Sequence, residues 1–312
     1  MNDYQRPFAG RQPEDGQVIA VGGAKGGIGK SLITSNLAVI LSSRGFSTVV
    51  VDLDLGGANL HLYLGERTIH HNLHHFLNRE AGIDDVLIET RFGPWLIGGD
   101  NSELGAANIP FSQKLKLLRT LRRLDVDYIL LDLGSNISYN VLDFFLAADY
   151  PIVLATPEPA AYLGAYRFIK VALYRKLDRL FGVESEFYSH RVPSLESLIR
   201  SAIGRGESRV RRIGQLLERV EKENSRNLAF MRSVLESFRP LLVMNKVPED
   251  QDSAQIVQSI QDNCRDMLSV QLDFLGYVPS HPDFEGSARE LTPVAASGPE
   301  SELTAALAAL IE

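Results

Sequence analysis

The sequence predicts an α/β fold, a mostly parallel, doubly wound sheet flanked by helices, and two features carry that prediction. The first is a series of short apolar, β-branched runs, among them Gln17-Val18-Ile19-Ala20-Val21 and Thr48-Val49-Val50-Val51, each followed by helical segments. Such runs lack the in-out alternation of a half-solvated strand, so both faces of the sheet must be covered. The second is the position of the glycine-rich and acidic clusters. They follow the strands, at the carboxyl ends where sheets of this kind bind ligands.

The elements follow in order. Residues 1–16 are polar, with Pro7, Pro13, Gly10 and Gly16, and read as a flexible tail. From 17 to 312 the chain reads as a single domain. Val18–Gly22 is a strand and Lys30–Arg44 a helix; Thr48–Asp54 is a fully buried strand. Val86–Glu89 and Trp95–Ile97 are short strands. Ser112–Leu124 reads as a helix, Asp127–Asp132 as a strand, Ser138–Ala147 as a helix and Pro151–Ala155 as a strand. A helix over Tyr162–Leu180 follows. Pro240–Asn245 and Gln271–Leu275 are strands, with a helix over Ser253–Met267 between them. Residues 181–239 are a helical insertion, in which Ile213, Leu216, Leu217 and Val220 recur at helical spacing.

Composition narrows the function. The 312 residues are 45% hydrophobic and 23% charged, as in a globular chain able to bury a sizeable core. A net charge of −7 argues against a dedicated nucleic-acid binder but allows a local basic patch. Cys264 is the only cysteine, which excludes a disulfide framework and suits a reducing cytosol. No apolar run reaches the ~18 residues of a membrane span, and the N-terminal stretch lacks the apolar region of a secretory signal.

The strongest motif follows the first strand. Lys25-Gly26-Gly27-Ile28-Gly29-Lys30-Ser31 fits K-G-G-x-G-K-[ST], a phosphate-binding loop with a second lysine before Lys30. Its glycines leave backbone N–H groups free to wrap phosphates. Lys30 would reach the β- and γ-phosphates, and the Ser31 hydroxyl would ligate Mg²⁺. The strand before and the helix after supply the context such a loop requires.

This stretch resembles the deviant Walker A motif of the MinD/ParA family of P-loop ATPases. The likeness runs from about Gln17 to about Pro293, apart from the insertion. It implies ATP and Mg²⁺ as cofactors, bound by a cradle of Lys25, Gly26, Gly27, Ile28, Gly29, Lys30, Ser31 and Leu32. Lys25 would be the signature lysine, reaching across a face-to-face homodimer to the other subunit's nucleotide. Asp52-Leu53-Asp54-Leu55-Gly56 resembles the family's switch I. Asp52 would hold a Mg²⁺-bound water and Asp54 would orient the attacking water, so the catalytic roles fall to Lys25, Lys30 and Asp54. Carboxylates at i and i+2 share one side of a strand. Ile129-Leu130-Leu131-Asp132-Leu133-Gly134 resembles a Walker B strand with switch II, placing Asp132 beside Mg²⁺ and Gly134 as a γ-phosphate sensor. The continuation Leu133-Gly134-Ser135-Asn136 departs from the family pattern. Asn245 and the loop ending at Pro279 resemble the adenine-side contacts, and Pro248 breaks the N-K-x-D pattern expected of a guanine site.

The runs Leu55–Leu60 and Leu275–Pro279 look closest to the FlhG/FleN branch, whose members set flagellar number and position. The branch's N-terminal D-Q-A-x-x-L motif is missing here. The resemblance implies a cytoplasmic, slow ATPase that cycles between an ADP monomer and an ATP dimer. It also implies a protein activator or cargo, with recruitment to a cell pole, nucleoid or membrane by partners. Iron–sulfur carriers share the loop but need paired cysteines, which Cys264 alone does not supply. A non-hydrolysing or very slow nucleotide-gated scaffold or regulator acting on a transcription factor or DNA is the alternative.

Three further segments invite readings. His70/His74 and His71/His75 have metal-ligand spacing on a helix, yet no cysteine or well-placed acid completes a site, so a solvated or partner-facing helix is expected. The insertion carries eleven Lys/Arg against eight Asp/Glu. It reads as a helical hairpin packed on the sheet edge, or as a docking surface making a weak DNA or acidic-protein contact through Arg200–Arg212. Ser301–Glu312 is amphipathic but has no Lys or Arg, so a packed terminal helix is expected and direct membrane anchoring is not.

Overall fold

The computed structural model describes residues 16–99, 109–181, 212–223, 225–250 and 252–312. The tail over 1–15 lies outside the described residues, as do Arg200, Arg205, Arg209 and Arg211. The sheet has eight strands: β1 (Gln17–Gly22), β2 (Thr48–Leu53), β3 (Leu87–Glu89), β4 (Trp95–Ile97), β5 (Tyr128–Leu133), β6 (Tyr150–Ala155), β7 (Leu241–Val247) and β8 (Asp273–Pro279). Their order is β3-β4-β2-β5-β1-β6-β7-β8, and only the β3–β4 pair is antiparallel. β1 lies between β5 and β6, and the chain leaves it for β2 on one side and reaches β6 on the other. Connections that diverge in this way open a crevice above the carboxyl ends of the central strands.

The continuous apolar runs divide into two cores because successive strand side chains point to opposite faces. Val18, Ala20, Val49, Val51, Ile129 and Leu131 face one layer; Ile19, Val21, Val50 and Leu130 face the other. The first layer is closed by α3 (Leu73–Leu77), α5 (Phe111–Arg122), α6 (Tyr139–Ala147), α7 (Pro159–Phe181), α8 (Ile213–Glu223), α9 (Ser225–Ser237) and α10 (Ala254–Leu268). The second is closed by α1 (Lys30–Ser43), α2 (Leu60–Tyr63), α11 (Asp283–Glu290), α12 (Val294–Ser297) and α13 (Glu302–Ala308).

The described part of the insertion packs. Ile213, Leu216 and Val220 of α8 are buried against the first core with Met231 and Leu235 of α9. Of the arginine cluster, only Arg212 is described, and it is exposed. The terminal segment also packs: Leu303, Leu307 and Leu310 are buried, and the Ser301 hydroxyl caps α13 by accepting from the Thr304 N–H at 3.1 Å.

Several expected boundaries move. The last strand runs from Asp273 to Pro279 rather than Gln271–Leu275, carrying Gly276 at φ 155° past a register shift against β7. Val86 ends a helical turn, α4 (Ile83–Val86), instead of starting β3. The histidine helix is short: His74 and His75 lie in α3, while His70 and His71 precede it. Asn72 sets that start, its Oδ1 accepting from the His74 and His75 N–H groups at 3.0 and 3.3 Å. Among the described residues no group of three or more His, Cys, Asp or Glu could hold a metal ion.

Beneath the site, one buried ion cluster ties three helices together. Asp143 of α6 is 1% exposed and accepts from Lys114 Nζ of α5 at 2.7 Å and from Arg175 Nε of α7 at 2.8 Å. Burial pulls the Lys114 ammonium below its ordinary pKa, and its hydrogen bond to Asp143 pulls it back.

Candidate functional site

The loop between β1 and α1 carries the phosphate-binding motif, and its shape depends on glycine. Gly29 caps α1 at φ 95°, and a Cβ there would sit 2.4 Å from Asn245 Nδ2. Ile28 is buried beneath the loop, while Gly26 and Gly27 are exposed on top. Ser31 and Leu32 open α1, both half-buried. The N-terminus of α1 therefore aims free N–H groups at the crevice, an arrangement that favours anions.

Three strand ends converge on this loop. Lys30 is 6% exposed, and its Nζ donates to Ser135 Oγ at 2.6 Å. Burial lowers its pKa, while Asp132 and Asp54 raise it by charge. Asp132, near the end of β5, is paired in register with Asp52 of β2. Asp132 is 1% exposed; its Oδ1 accepts from Thr34 Oγ1 at 3.5 Å, and among the described residues its Oδ2 has no hydrogen-bond partner. Burial, then the neighbouring Asp52, push its pKa up to about 8, opposed by the Ser31 hydroxyl and Lys30. Asp54 sits half-buried just past β2. Gly134 of the loop after β5 lies so close that a Cβ would stand 3.1 Å from Asp54 Oδ1. Asp54, Gly56, Gly57, Gly134, Ser135 and Asn136 line a cavity of about 370 Å³.

The structure gives two predicted residues additional work. Asp52 accepts the Asp54 N–H on Oδ1 and the Leu60 N–H on Oδ2, each at 3.0 Å, so it shapes the loop from 54 to 60. Burial lifts its pKa to about 6 against these bonds. Asn245, at 1% exposure, donates from Nδ2 to the Ile28 carbonyl at 2.7 Å. It braces the phosphate loop from below, and its Oδ1 is buried without a partner. Pro279 ends β8, paired with Val247 of β7, near that brace.

Three residues escaped the sequence reading of the site. Lys25 is 41% exposed and forms an ion pair with Glu158, an acid 133 positions away that no local pattern marks. Lys25 holds the Glu158 carboxyl below its usual pKa. Lys246, in a left-handed conformation at φ 55°, donates from Nζ to the Gly27 carbonyl at 2.8 Å. Its only signal was adjacency to Asn245. Ser135 was visible as a departure from the family pattern, but its bond to Lys30 was not.

These residues fit a magnesium nucleotide. Asp132 offers a desolvated, unpartnered carboxylate oxygen, with the Ser31 hydroxyl beside it. Mg²⁺ is commonly held by one or two carboxylates plus substrate phosphates and water, so a complete protein cage is not required. Thr34 Oγ1 reaches the other Asp132 oxygen only at 3.5 Å, so a buried carboxylate with one oxygen left without a hydrogen bond is costly in the empty site, even with Lys30 nearby. Asp132→Asn is therefore expected to raise the melting temperature of the nucleotide-free protein and to weaken Mg²⁺-dependent nucleotide binding. A variant that melts below wild type would show instead that the carboxylate is already satisfied.

The parallel sheet, the glycine loop at a helix N-terminus and the acidic strand ends define a P-loop nucleotide-binding domain. The chain matches the CobQ/CobB/MinD/ParA nucleotide binding domain over residues 19–294, and it belongs to that family. It is 35% identical over 174 residues to the flagellum site-determining protein YlxH of Helicobacter pylori, covering 52% of this chain and 55% of that protein. It is 29% identical over 157 residues to the antiactivator FleN of Pseudomonas aeruginosa, covering 50% of this chain and 56% of that protein. The chain thus spans about half the length of the curated relatives it matches. The fold is shared with the septum site-determining protein MinD from Pyrococcus horikoshii, solved with Mg-ADP, at TM-score 0.61 and 18% identity over 94% of this chain and 93% of that one.

Proposed function

We propose that this chain is a slow Mg²⁺-dependent ATPase that alternates between an ADP monomer and an ATP homodimer. The cycle would gate partner binding and so control the position or number of a cellular structure, with flagella the first candidate. The observation that carries this reading is the convergence of Lys30, Asp54 and Asp132 on one loop, whose second lysine, Lys25, forms an exposed ion pair at the rim. The names of the flagellar relatives and the solved Mg-ADP complex support it.

Bound Mg-ATP supplies the transferable phosphoryl group and a divalent charge that offsets its own. Lys30 neutralises β- and γ-phosphate charge, and the backbone N–H groups of the cradle bind phosphate oxygens. The Ser31 hydroxyl and Asp132 hold the cation, while Asp52 fixes the switch I loop that presents Asp54. Asp54 orients the attacking water, and Gly134 keeps the second switch in contact with it. Asn245 and Pro279 border the adenine side.

Asp54→Ala removes the water-orienting carboxylate and leaves the cradle intact. The expected result is an ATP-bound dimer with phosphate release at least about a hundredfold slower, the lower end for loss of one positioned proton acceptor or orienting group. An unchanged turnover rate would move that role elsewhere, first to Asp52. The scaffold reading predicts something different: ATP binding by wild type with little or no turnover.

Solvent screens exposed ion pairs, so Lys25 can leave Glu158 for a second subunit's phosphate at small cost. Lys25→Ala is expected to bind ATP as a monomer under conditions where wild type dimerises. Light scattering that shows the variant dimerising normally with ATP would rule out the cross-subunit role.

Among the described residues no helix is long and apolar enough to cross a membrane. Partner contact through Arg200–Arg212 and recruitment to a pole, nucleoid or membrane by partners complete the proposal.

A further inference from the structure

Ser135 stands where the second switch meets the phosphate loop. The Lys30 ammonium reaches across from the phosphate-binding loop and donates to its hydroxyl at 2.6 Å, across 105 positions of sequence. This is a contact between the loop that takes phosphate and the loop that faces the water-orienting Asp54. The following residue is tied the other way. Asn136 Oδ1 accepts the Ser138 N–H at 3.0 Å, and the Ser138 hydroxyl caps α6 by accepting the Val141 N–H at 3.4 Å. The switch is thus fastened to α6 at one end and to Lys30 at the other. Gly134 between β5 and Ser135 packs on Asp54.

We infer that Ser135 is the resting partner of the phosphate-loop lysine, a hydroxyl that occupies Lys30 until nucleotide phosphate displaces it, and that its release couples phosphate binding to the second switch. The inference rests on the nucleotide reading of this same site. A buried ammonium must be hydrogen-bonded, and a neutral hydroxyl is a weaker partner for it than a phosphate oxygen. The Ser135 bond therefore satisfies Lys30 in the empty site yet yields to the ligand. Displacing it severs one of the loop's two fastenings, beside the cavity that Ser135 lines with Asp54 and Gly57. Ser135 is a positioning residue in this scheme: it acts through Lys30 and through the loop.

The consequence is a gain rather than a loss. Deleting the hydroxyl removes the competitor for Lys30 in the empty state only, so ADP should bind more tightly. For a bond to a charged donor partly replaced by water, about three- to tenfold tighter ADP binding is expected for Ser135→Ala. Ser135→Thr, which restores the hydroxyl, should return to the wild-type affinity. Ser135→Cys keeps the size but offers a weak acceptor and should follow the alanine variant, which guards against a folding defect in either one. ADP titrations by calorimetry on the full chain, with melting curves in the absence of nucleotide, read all three. Equal or weaker ADP binding by Ser135→Ala and Ser135→Cys, with wild-type melting, would overturn the inference. A purely structural serine would weaken binding or leave it unchanged, never tighten it. Wild-type protein that takes up no ADP would sink the nucleotide reading itself, and the two failures cannot be confused.

Discussion

Lys30→Ala should bind neither ADP nor ATP at concentrations that saturate the wild type. Lys30 is 6% exposed, and it is the cation that faces the cradle from within the loop, between Asp132, Asp54 and Ser135. Removing one partner of a buried, charge-assisted contact costs about 2–5 kcal/mol, which is roughly one and a half to three and a half orders of magnitude in affinity. Lys30→Met, which keeps the hydrocarbon stem and loses only the charge, should fail equally. That comparison separates lost charge from lost packing. The empty protein should also suffer, because Asp132 and Asp54 lose their nearest cation. Adding Asp132→Asn to Lys30→Ala should recover part of the melting temperature but none of the binding. Calorimetric affinity within threefold of wild type for either single variant would refute the phosphate-loop assignment.

What could be read in the sequence depended on how far each contact reaches along the chain. The strand Val18–Gly22, the loop Lys25–Ser31 and the helix after it are contiguous, and their pattern survives intact in the fold. Asp52, Asp54 and Asp132 were legible for the same reason, since each lies within one residue of the end of an apolar strand. Side-by-side placement of Asp52 and Asp132 was not, because it depends on β2 pairing with β5 in one register. Lys25–Glu158 and Lys246–Gly27 join residues more than a hundred positions apart, and single-residue partners at that range leave no periodic trace. Local errors have local causes. Gly276 and Tyr277 hid the true end of β8, since glycine weakens the strand signal. The short helices α11 and α12 follow Pro282 and Pro293 and hold only eight and four residues, too few to show a repeat. Asn245 was recognised as a strand-end amide, but its Nδ2 is engaged by the phosphate loop, a role that only the folded geometry reveals.

Asp143→Ala should produce the largest loss of stability. This carboxylate is 1% exposed and stands between Lys114 and Arg175, whose side chains are each 5% exposed. Its removal would leave two cations buried without their shared partner. Breaking a buried pair in this way costs about 3–5 kcal/mol. For a chain of this size that corresponds to a fall of roughly 5–8 °C in melting temperature. The cost of breaking the cluster is not its worth, however. Assembling it already required desolvating three charges, which the attraction between them offsets only with good geometry. Replacing all three together, as Asp143→Leu with Lys114→Met and Arg175→Met, should therefore recover most of the loss. Recovery should stop short of wild type, because Arg175 also lies 4.2 Å above the Tyr139 ring and 3.4 Å from the Asp178 carboxylate. A single Asp143→Ala change that melts within 1–2 °C of wild type would mean that water reaches the two cations. A triple variant no better than the single one would mean that the cluster stabilises the packing of α5, α6 and α7 in its own right.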